Sequence, residues 1–301
     1  GDSARIGERH RGAERAINER KNIEIYKDTS LEKKGTNEPI ILNDHILGVV
    51  GISGEPDEVR KFTKLVRSIV LLLTEELNTQ QEREKKKKQK NQFIQHLMHV
   101  DSAYSEALKL EALELYNLQL DDQNHCVLTK DKRLLSSYYP GHEIFEWENC
   151  YLVITSEPPQ ITKPVTEYLV ISSEKATIQQ MVQEAQNTYL LLSFLQLEKA
   201  KFYQAEDFFI QGIFNFPFHI ELDFFETIQT IYDEYYETVI FFANHNLNIN
   251  ETSQVLHIHR NTLNYRLKRI HELTGMDPKV WQDFWKLFYY FAYCFKERFE
   301  K

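Results

Sequence analysis

The stretch NLNINETSQVLHIHRNTLNYRLKRIHELTG, residues 246–275, decides how the C-terminal part of the chain folds. It predicts a short helix, a tight break at His257 and a second helix, which is the layout of a helix-turn-helix motif. When the second helix is projected at about 100° per residue, Leu263, Leu267 and Ile270 fall on one apolar stripe. That stripe is expected to pack against the rest of the domain.

The first helix of the motif needs a capping residue and a buried side. Asn250 and Thr252 lie near its start, and either side chain could accept a hydrogen bond from a free backbone N–H. The buried side is expected to consist of Val255, Leu256 and Ile258.

The second helix presents a polar, cationic face opposite its apolar stripe. The window 260–271 contains four Lys or Arg residues and no acid, in a chain whose formal net charge is −9. Asparagine can pair with adenine, and arginine or lysine can bind guanine or phosphate. This face is therefore predicted to bind operator DNA in the major groove, through Arg260, Asn261, Thr262, Asn264, Tyr265, Lys268 and Arg269.

Two alternatives are open for this motif. A surface helical hairpin with an ordinary charged outer face would have the same spacing of apolar residues. Arg266 projects close to the apolar stripe, so a structural ion pair is as compatible with its position as a phosphate contact.

The composition is that of an ordinary folded protein. Its 301 residues suit two or three domains, and its pI near 5.7 excludes a globally basic coat protein of nucleic acid. Cys126, Cys150 and Cys294 are widely spaced and odd in number, which is typical of reduced thiols in a cytosolic compartment. No apolar run approaches the roughly 20 residues of a membrane helix, so a cytoplasmic protein without a membrane partner is expected.

The pattern of elements predicts an α+β multidomain protein with four segments. Residues 1–78 form a small α/β domain. Its elements are a helix over 8–21, a strand over 23–26 and a hairpin that turns at Asn43-Asp44. Residues 79–92 contain no large apolar residue and form a charged helical linker, in which the run Lys85–Lys88 could touch DNA but is more simply explained as solvated.

The remaining two segments are a second α/β region and an all-helical region. Residues 93–228 begin with a helix over 93–120 and end with a helical pattern that starts at 176. Strand-like runs lie between them at 126–129, 144–147, 151–155 and 168–172. Residues 229–301 are all-helical, with Asp277 capping a last helix whose apolar side contains Trp281, Phe284, Trp285, Phe288 and Phe291.

Several of these segments together resemble the carbohydrate (sugar) diacid regulator family of bacterial transcription factors, which is related to the purine catabolism regulators. The resemblance covers nearly the whole chain and is most specific in the helix-turn-helix INETSQVLHIHRNTLNYRLKRIHELTG, residues 249–275. The segments RIGERHRGA (5–13), GTNEPI (35–40) and GVVGISGEPDEV (48–59) resemble the family's sugar diacid recognition domain. The segment MVQEAQNTYLLL (181–192) resembles the end of its middle domain, a degenerate GGDEF-like relative of diguanylate cyclase domains.

The resemblance implies a function for each end of the chain. Residues 1–78 would recognise a small sugar diacid or a hydroxy acid such as glycerate, and residues 229–301 would bind operator DNA. The implied ligand site consists of Arg5, Ile6, Gly7, His10, Asn37 and Pro39. The chain starts just before the RIG motif, which implies that the opening helices and strand of the sensor domain are absent and that the ligand pocket is incomplete.

The segment around Arg5 is chemically suited to a carboxylate. Arg5 can bind a carboxylate through two parallel hydrogen bonds, and the amides of residues 7–10 form the positive end of a helix that begins near Glu8. Asn37 can hydrogen-bond a ligand hydroxyl. For Arg9, Arg11 and Arg15 the favoured alternative is a solvated face on which they pair with Glu8, Glu14 and Glu19.

Two departures from the family pattern affect this interpretation. Glu38 replaces a residue that is usually apolar, and its carboxylate would repel a dianion if it faced the pocket, so a monoacid is an alternative ligand. The segment 93–228 has no GGDEF-like run, and Glu146-Trp147-Glu148-Asn149 stands roughly in its place, so cyclase chemistry is not expected.

The function predicted from the sequence is a ligand-responsive transcription factor that activates genes for the uptake or breakdown of a carbohydrate acid. A homodimer is expected, because paired helix-turn-helix modules read paired half-sites. No metal or other cofactor is expected, since neither the pair His96/His99 nor the pair His257/His259 has a nearby set of acids or cysteines that completes a metal site. The alternative is a nucleotide cyclase or phosphodiesterase with a sensor domain, for which the sequence offers no phosphate-binding loop.

Overall fold

The computed structural model describes residues 10–29, 32–157, 166–199, 202–215 and 222–299 of the chain. The chain divides into two compact units, Gly1–Gln89 and Lys90–Lys301. Within the described ranges, no helix combines the length and the apolar character that crossing a membrane requires.

The first unit is built on a three-stranded antiparallel sheet with the strand order β1-β2-β3. Its elements are helix α1 (Arg11–Glu19), strands β1 (Ile23–Ile25), β2 (Gly35–Leu42) and β3 (His45–Ser53), and the first part of helix α2 (Pro56–Leu97). The predicted hairpin joins β2 to β3. Asn43 (φ 47°) and Asp44 (φ 65°) form its two-residue turn, a conformation that matches the twist of antiparallel strands.

The two faces of strand β2 contact different helices. Gly12 of α1 lies so close to Asn37 that a Cβ atom on Gly12 would come within 2.6 Å of Asn37 Nδ2. The next residue, Glu38, instead forms an ion pair with Arg67 of α2. Because side chains alternate along a strand, α1 and α2 cover opposite faces of the sheet.

Helix α1 is shorter than the sequence predicted. Its N-cap is His10, whose Nδ1 accepts a hydrogen bond from the backbone N–H of Ala13 at 3.2 Å. The helix ends before Arg20, which has a φ of 54°. Glu8, where the sequence placed the helix start, lies outside the described residues.

The charged segment 79–92 is helical, as predicted, and it continues helix α2 without a break. All residues from 75 to 89 are exposed. Gln, Glu and Lys are good helix formers, and no Gly or Pro interrupts the segment. The helix can therefore continue here on local propensity, without a buried face.

The second unit begins with a five-stranded sheet in the order β5-β6-β4-β7-β8. Strands β7 and β8 pair in parallel, and the other neighbouring strands are antiparallel. The elements are α3 (Glu106–Tyr116), β4 (His125–Thr129), α4 (Lys132–Tyr138), β5 (Phe145–Trp147), β6 (Cys150–Thr155), β7 (Leu169–Ile171), α5 (Ile178–Phe194) and β8 (Phe202–Gln204), followed by 3₁₀ turns at Ala205–Asp207 and Phe209–Asn215. Helix α5 packs on the central strands β4 and β7.

The prediction of one helix over 93–120 is wrong. Helix α2 ends at Leu97, and α3 begins after Ser105, whose Oγ accepts a hydrogen bond from the backbone N–H of Leu108 at 3.3 Å. Asn117, with a φ of 51°, ends α3. Ser and Asn side chains can hydrogen-bond the nearby backbone and so end or start a helix. The spacing of apolar residues does not reveal such caps.

Four helices complete the second unit within the described residues. They are α6 (Leu222–Asn244), α7 (Ile249–Val255), α8 (Arg260–Thr274) and α9 (Trp281–Phe299). Helix α6 contacts each of the other three. The shared core contains Phe242 from α6, Leu263, Leu267 and Ile270 from α8, and Phe284, Phe288 and Phe291 from α9.

Helix α9 begins later than predicted. Asp277 caps only a turn, in which its Oδ1 accepts a hydrogen bond from the backbone N–H of Lys279 at 2.9 Å. The helix itself starts at Trp281. Trp281 is 62% exposed, so the aromatic side of this helix is only partly core.

Candidate functional site

The first helix of the motif, α7, is capped by Asn248. The side-chain Oδ1 of Asn248 accepts hydrogen bonds from the backbone N–H groups of Asn250 (2.9 Å) and Glu251 (3.3 Å). The prediction that Asn250 or Thr252 caps this helix is therefore wrong. Thr252 is buried within α7, where its hydroxyl donates to the carbonyl oxygen of Asn248 at 2.7 Å.

His257 forms the break between α7 and α8, as predicted, with a φ of 53°. The backbone N–H of His257 donates to the carbonyl oxygen of Gln254 (3.1 Å), and that of Ile258 donates to Ser253 (3.0 Å). This pair of bonds is the Schellman ending of a helix, in which the left-handed position is usually a glycine.

The buried side of α7 differs from the prediction. Val255 is 42% exposed, so its assignment to that side is wrong, whereas Leu256 and Ile258 are half-buried against the C-terminal core. The buried residues of α7 are Thr252 and Ser253. Sequence reasoning overlooked them because it looked for apolar side chains, while a short helix packed between α6 and α8 also buries small polar ones.

Helix α8 starts at Arg260 and is fixed by its buried side. His259 is the N-cap, and its Nδ1 accepts a hydrogen bond from the backbone N–H of Asn261 at 3.2 Å. The predicted apolar stripe of α8 is fully buried. Arg266 Nη1 donates to the hydroxyl of Thr238 on α6 at 3.0 Å. Arg266 therefore links α8 to α6 by a hydrogen bond to a hydroxyl group. This role is neither the structural ion pair nor the phosphate contact that the sequence left open.

The opposite side of α8 is an exposed face that we call the outward face. It carries Arg260, Asn261, Thr262, Tyr265, Lys268 and Arg269, all exposed, with Asn264 half-buried at its edge. Tyr265 is 65% exposed, which is a large apolar area to leave in water. The structure thus brings the predicted DNA-contacting residues together on one side of a single helix.

An acid that the sequence window excluded lies on the same face. Glu272 is one residue beyond the window 260–271, and its carboxylate is 3.5 Å from Lys268 Nζ and 3.4 Å from Arg269 Nη1. Counting Glu272, the Lys, Arg, Asp and Glu residues from 260 to 272 sum to 4 − 1 = +3. These exposed pairs are individually weak, so phosphate oxygens can compete for both cations.

A cation from outside α8 also reaches this face. Lys279, in the turn before α9, places its Nζ 2.7 Å from Asn264 Oδ1. Asn264 Nδ2 in turn donates to the carbonyl oxygen of Arg260 at 3.1 Å. Sequence reasoning missed Lys279 because it lies 15 residues from Asn264, beyond the end of the motif.

The first unit contains a second candidate site, a cavity of about 240 Å³ between α1 and the sheet. Its lining includes two of the predicted ligand residues, His10 and Asn37, and two lysines that the prediction did not include, Lys33 and Lys34. The remaining lining residues are Ala13, Gly35, Thr36, Val49, Gly51, Ile52 and Ser53. Lys34 is paired with the carboxylate of Glu55, so Lys33 is the lysine of this lining whose positive charge suits a ligand carboxylate.

Asn37 is positioned for a ligand. It is only 4% exposed, and it contributes to the lining of the cavity. Its amide lies between two glycines, because a Cβ atom on Gly12 would come within 2.6 Å of Nδ2 and one on Gly51 within 3.0 Å of Oδ1. This amide has both donor and acceptor atoms, so a ligand hydroxyl or carboxylate in the cavity can hydrogen-bond it.

The other predicted ligand residues are distributed differently. Pro39 is buried in β2 and does not line the cavity, while Arg5, Ile6 and Gly7 lie outside the described residues. Glu38 faces α2, where its Oε1 is 3.0 Å from Arg67 Nη1. The carboxylate of Glu38 therefore does not face the cavity, and the repulsion considered for a dianion does not arise from it.

Two family models match the chain, one near each end. A family described as putative sugar diacid recognition matches residues 1–97, and the PucR C-terminal helix-turn-helix domain matches residues 235–291. Residues 98–234 lie outside both matches. The GGDEF-like character expected for the middle region is thus not confirmed, and Glu148 and Asn149 (φ 45° and 62°) simply form the turn between β5 and β6.

The chain is also similar to individual proteins. It is 23% identical to the uncharacterized protein YsfB of Bacillus subtilis, over 90% of this chain and 83% of that protein. It is 30% identical to the carbohydrate diacid regulator of Escherichia coli, over 38% of this chain and 27% of that protein. A solved regulator of polyketide synthase expression from Bifidobacterium adolescentis is 14% identical, over 69% of this chain and 98% of that one, with a TM-score of 0.27, which is too low to support a common fold.

Proposed function

We propose that the chain is a transcription factor of the carbohydrate diacid regulator type, which binds operator DNA in response to a small hydroxy acid or sugar diacid such as glycerate. The observation that carries this proposal is the outward face of α8. A helix anchored by a buried apolar stripe presents polar and cationic side chains on its free side, directly after a tight turn. That is the geometry with which a recognition helix enters the major groove.

The residues of the outward face divide into two chemical groups. Asn261 and Thr262, in the first turn of α8, can hydrogen-bond base edges, which the N-terminal part of a recognition helix usually reaches. Arg260, Lys268 and Arg269 supply positive charge for guanine or phosphate oxygens, and Tyr265 can contact the sugar-phosphate backbone. A homodimer would place two such helices on paired half-sites about one helical turn apart.

The cavity of the first unit is the proposed effector site. A small acid would place its carboxylate near Lys33 and a hydroxyl against the amide of Asn37, while Lys34 is paired with Glu55. The volume of about 240 Å³ suits a compound smaller than a drug-sized ligand. Arg5, Ile6 and Gly7 stay part of the proposal, since the segment that contains them directly precedes His10.

The route by which the effector acts is proposed to be strand β2. Asn37 faces the cavity, and its neighbours Thr36 and Glu38 contact Thr63 and Arg67 of α2. Helix α2 continues past the first unit to Leu97. A ligand that shifts β2 therefore changes the contacts of α2 directly. The expected outcome is activation of genes for the uptake or breakdown of the acid.

A thermal-shift experiment tests the effector site. Glycerate, glycolate, glucarate and galactarate are added singly to the wild-type protein and to the Asn37→Ala and Arg5→Ala variants. One acid is expected to raise the Tm of the wild type, because a ligand that binds only the folded state stabilises it, and to lose that effect in both variants. His45→Ala, at an exposed position in the same sheet, is the control. Equal shifts in all four proteins would exclude the cavity as the site.

A further inference from the structure

The cations near α8 differ in whether the protein already neutralises them. Lys268 and Arg269 share the carboxylate of Glu272, whereas Arg266 is half-buried and hydrogen-bonds the uncharged hydroxyl of Thr238 on α6. Lys279 forms no ion pair with any acid in the described ranges, although its amine is held at 2.7 Å by Asn264. An ammonium that is positioned but not neutralised is a candidate for an anionic partner.

The position of Lys279 is fixed from both ends. At its backbone, the N–H donates to Asp277 Oδ1 (2.9 Å), and the same turn is closed by the N–H of Val280, which donates to the carbonyl oxygen of Asp277 (2.9 Å). At its tip, the amine donates to Asn264 Oδ1. Asn264 is itself oriented by its hydrogen bond to the carbonyl oxygen of Arg260, so the Lys279 ammonium is held against helix α8.

The side of α8 that holds Lys279 indicates what it would meet. At about 100° per residue, Arg260 and Asn264 lie on the flank between the buried stripe and the centre of the outward face at Tyr265. When a helix lies in the major groove, its outward residues meet base edges, whereas the residues on its flanks meet the phosphates of the groove walls. Arg260, on the same flank, also forms no ion pair with a described acid.

We propose that Lys279 binds a DNA backbone phosphate together with Arg260, and that Asn264 is a positioning residue for Lys279 rather than a reader of bases. Both polar ends of the Asn264 side chain are already engaged within the protein, and the ammonium of Lys279 keeps two further N–H groups for phosphate oxygens. The inference rests on the proposed function, because it requires α8 to lie in the groove.

The test measures affinity for short random-sequence duplex DNA by fluorescence anisotropy, over about 50 to 200 mM salt. Lys279→Met is expected to weaken binding about fivefold at the low-salt end and to reduce the slope of log affinity against log salt by about one. The slope reports the number of counterions that DNA releases on binding, and a variant that merely folds less well would not lower that number by one. Lys279→Arg is expected to restore the slope. Asn264→Ala is expected to weaken binding about twofold with the slope unchanged, because Lys279 then reaches the phosphate from a freer position.

The matched control is Lys109→Met on α3, which removes the same charge at a half-buried position, where Lys109 is paired with Glu106 and Asp121. It is expected to leave affinity and slope as in the wild type. A wild-type slope in Lys279→Met would overturn the phosphate contact while the DNA-binding function stands. Wild-type binding by Asn264→Ala would overturn the positioning role. If the wild-type protein binds no duplex DNA at low salt, the proposed function fails, and this inference fails with it.

Discussion

His257 occupies a backbone conformation that a residue with a Cβ atom disfavours. Its φ of 53° is in the left-handed region, and it stands at the position of the helix ending that glycine usually fills. His257→Gly is therefore expected to raise the free energy of unfolding by about 1 kcal/mol. Denaturant unfolding of the second unit measures the change. Gln196→Gly, at another positive φ (52°), is expected to behave likewise, and a loss of stability in His257→Gly would mean that the imidazole makes a contact worth more than the strain.

Glu272 limits the positive charge of the outward face. It lies 3.5 Å from Lys268 and 3.4 Å from Arg269, so DNA must compete with it for both cations. Glu272→Gln is expected to tighten duplex binding about threefold at low salt, and Lys268→Ala or Arg269→Ala to weaken it several-fold with the fold intact. The affinity is measured by anisotropy, with Glu226→Gln on α6 as the control. Weaker binding by Glu272→Gln would indicate that the acid orders the two cations for DNA.

Helix α1 packs on the sheet through Gly12. A Cβ atom there would come within 2.6 Å of Asn37 Nδ2 and 2.9 Å of Ile25 Cδ1, and both side chains are almost fully buried. In an exposed helix, glycine to alanine stabilises by about 1 kcal/mol, but overpacking a buried contact costs about 1 to 3 kcal/mol. Gly12→Ala is thus expected to lower the Tm of the first unit.

The control for Gly12→Ala is Gly48→Ala on β3, where an added Cβ would meet nothing within 4 Å. That variant is expected to unfold within about 0.5 kcal/mol of the wild type. A Gly12→Ala protein more stable than the wild type would contradict the close packing of α1 on Asn37.

The elements that the sequence predicted well are those fixed by local chemistry. Leu263, Leu267 and Ile270 recur at helical spacing and are buried, and Asn43-Asp44 favours the turn that it forms. The start and the end of α3 were missed because Ser105 and Asn117 act as single-residue signals within an apolar pattern.

The parts of the site that escaped prediction depend on contacts between distant segments. Lys279 joins the outward face only through the turn before α9, and Gly51, Ile52 and Ser53 join the cavity lining because β3 pairs with β2. The orientation of Glu38 follows from strand alternation once the position of α2 is known. Apolar periodicity carries none of this information.

At the scale of the whole molecule, the proposal requires that a ligand in the first unit changes the behaviour of a helix in the second. The pair Glu38–Arg67 is the proposed link, since it joins the ligand strand to α2 at 3.0 Å. Arg67→Met is expected to keep ligand-induced stabilisation and basal DNA affinity but to lose the change in DNA affinity on adding ligand. Anisotropy titrations with and without the acid measure this. Arg83→Met, farther along α2 at an exposed position, is the control. A full response in Arg67→Met would exclude this link.

DNA recognition by α8 is tested by selection of bound duplexes from a random-sequence DNA pool with the wild-type protein. We expect enrichment of a sequence with two related half-sites about one helical turn apart, and loss of that enrichment in Lys268→Ala and Arg269→Ala. A pool that stays random after repeated selection, with no salt-dependent binding of any duplex, would contradict the assignment of α8 as a DNA-recognition helix.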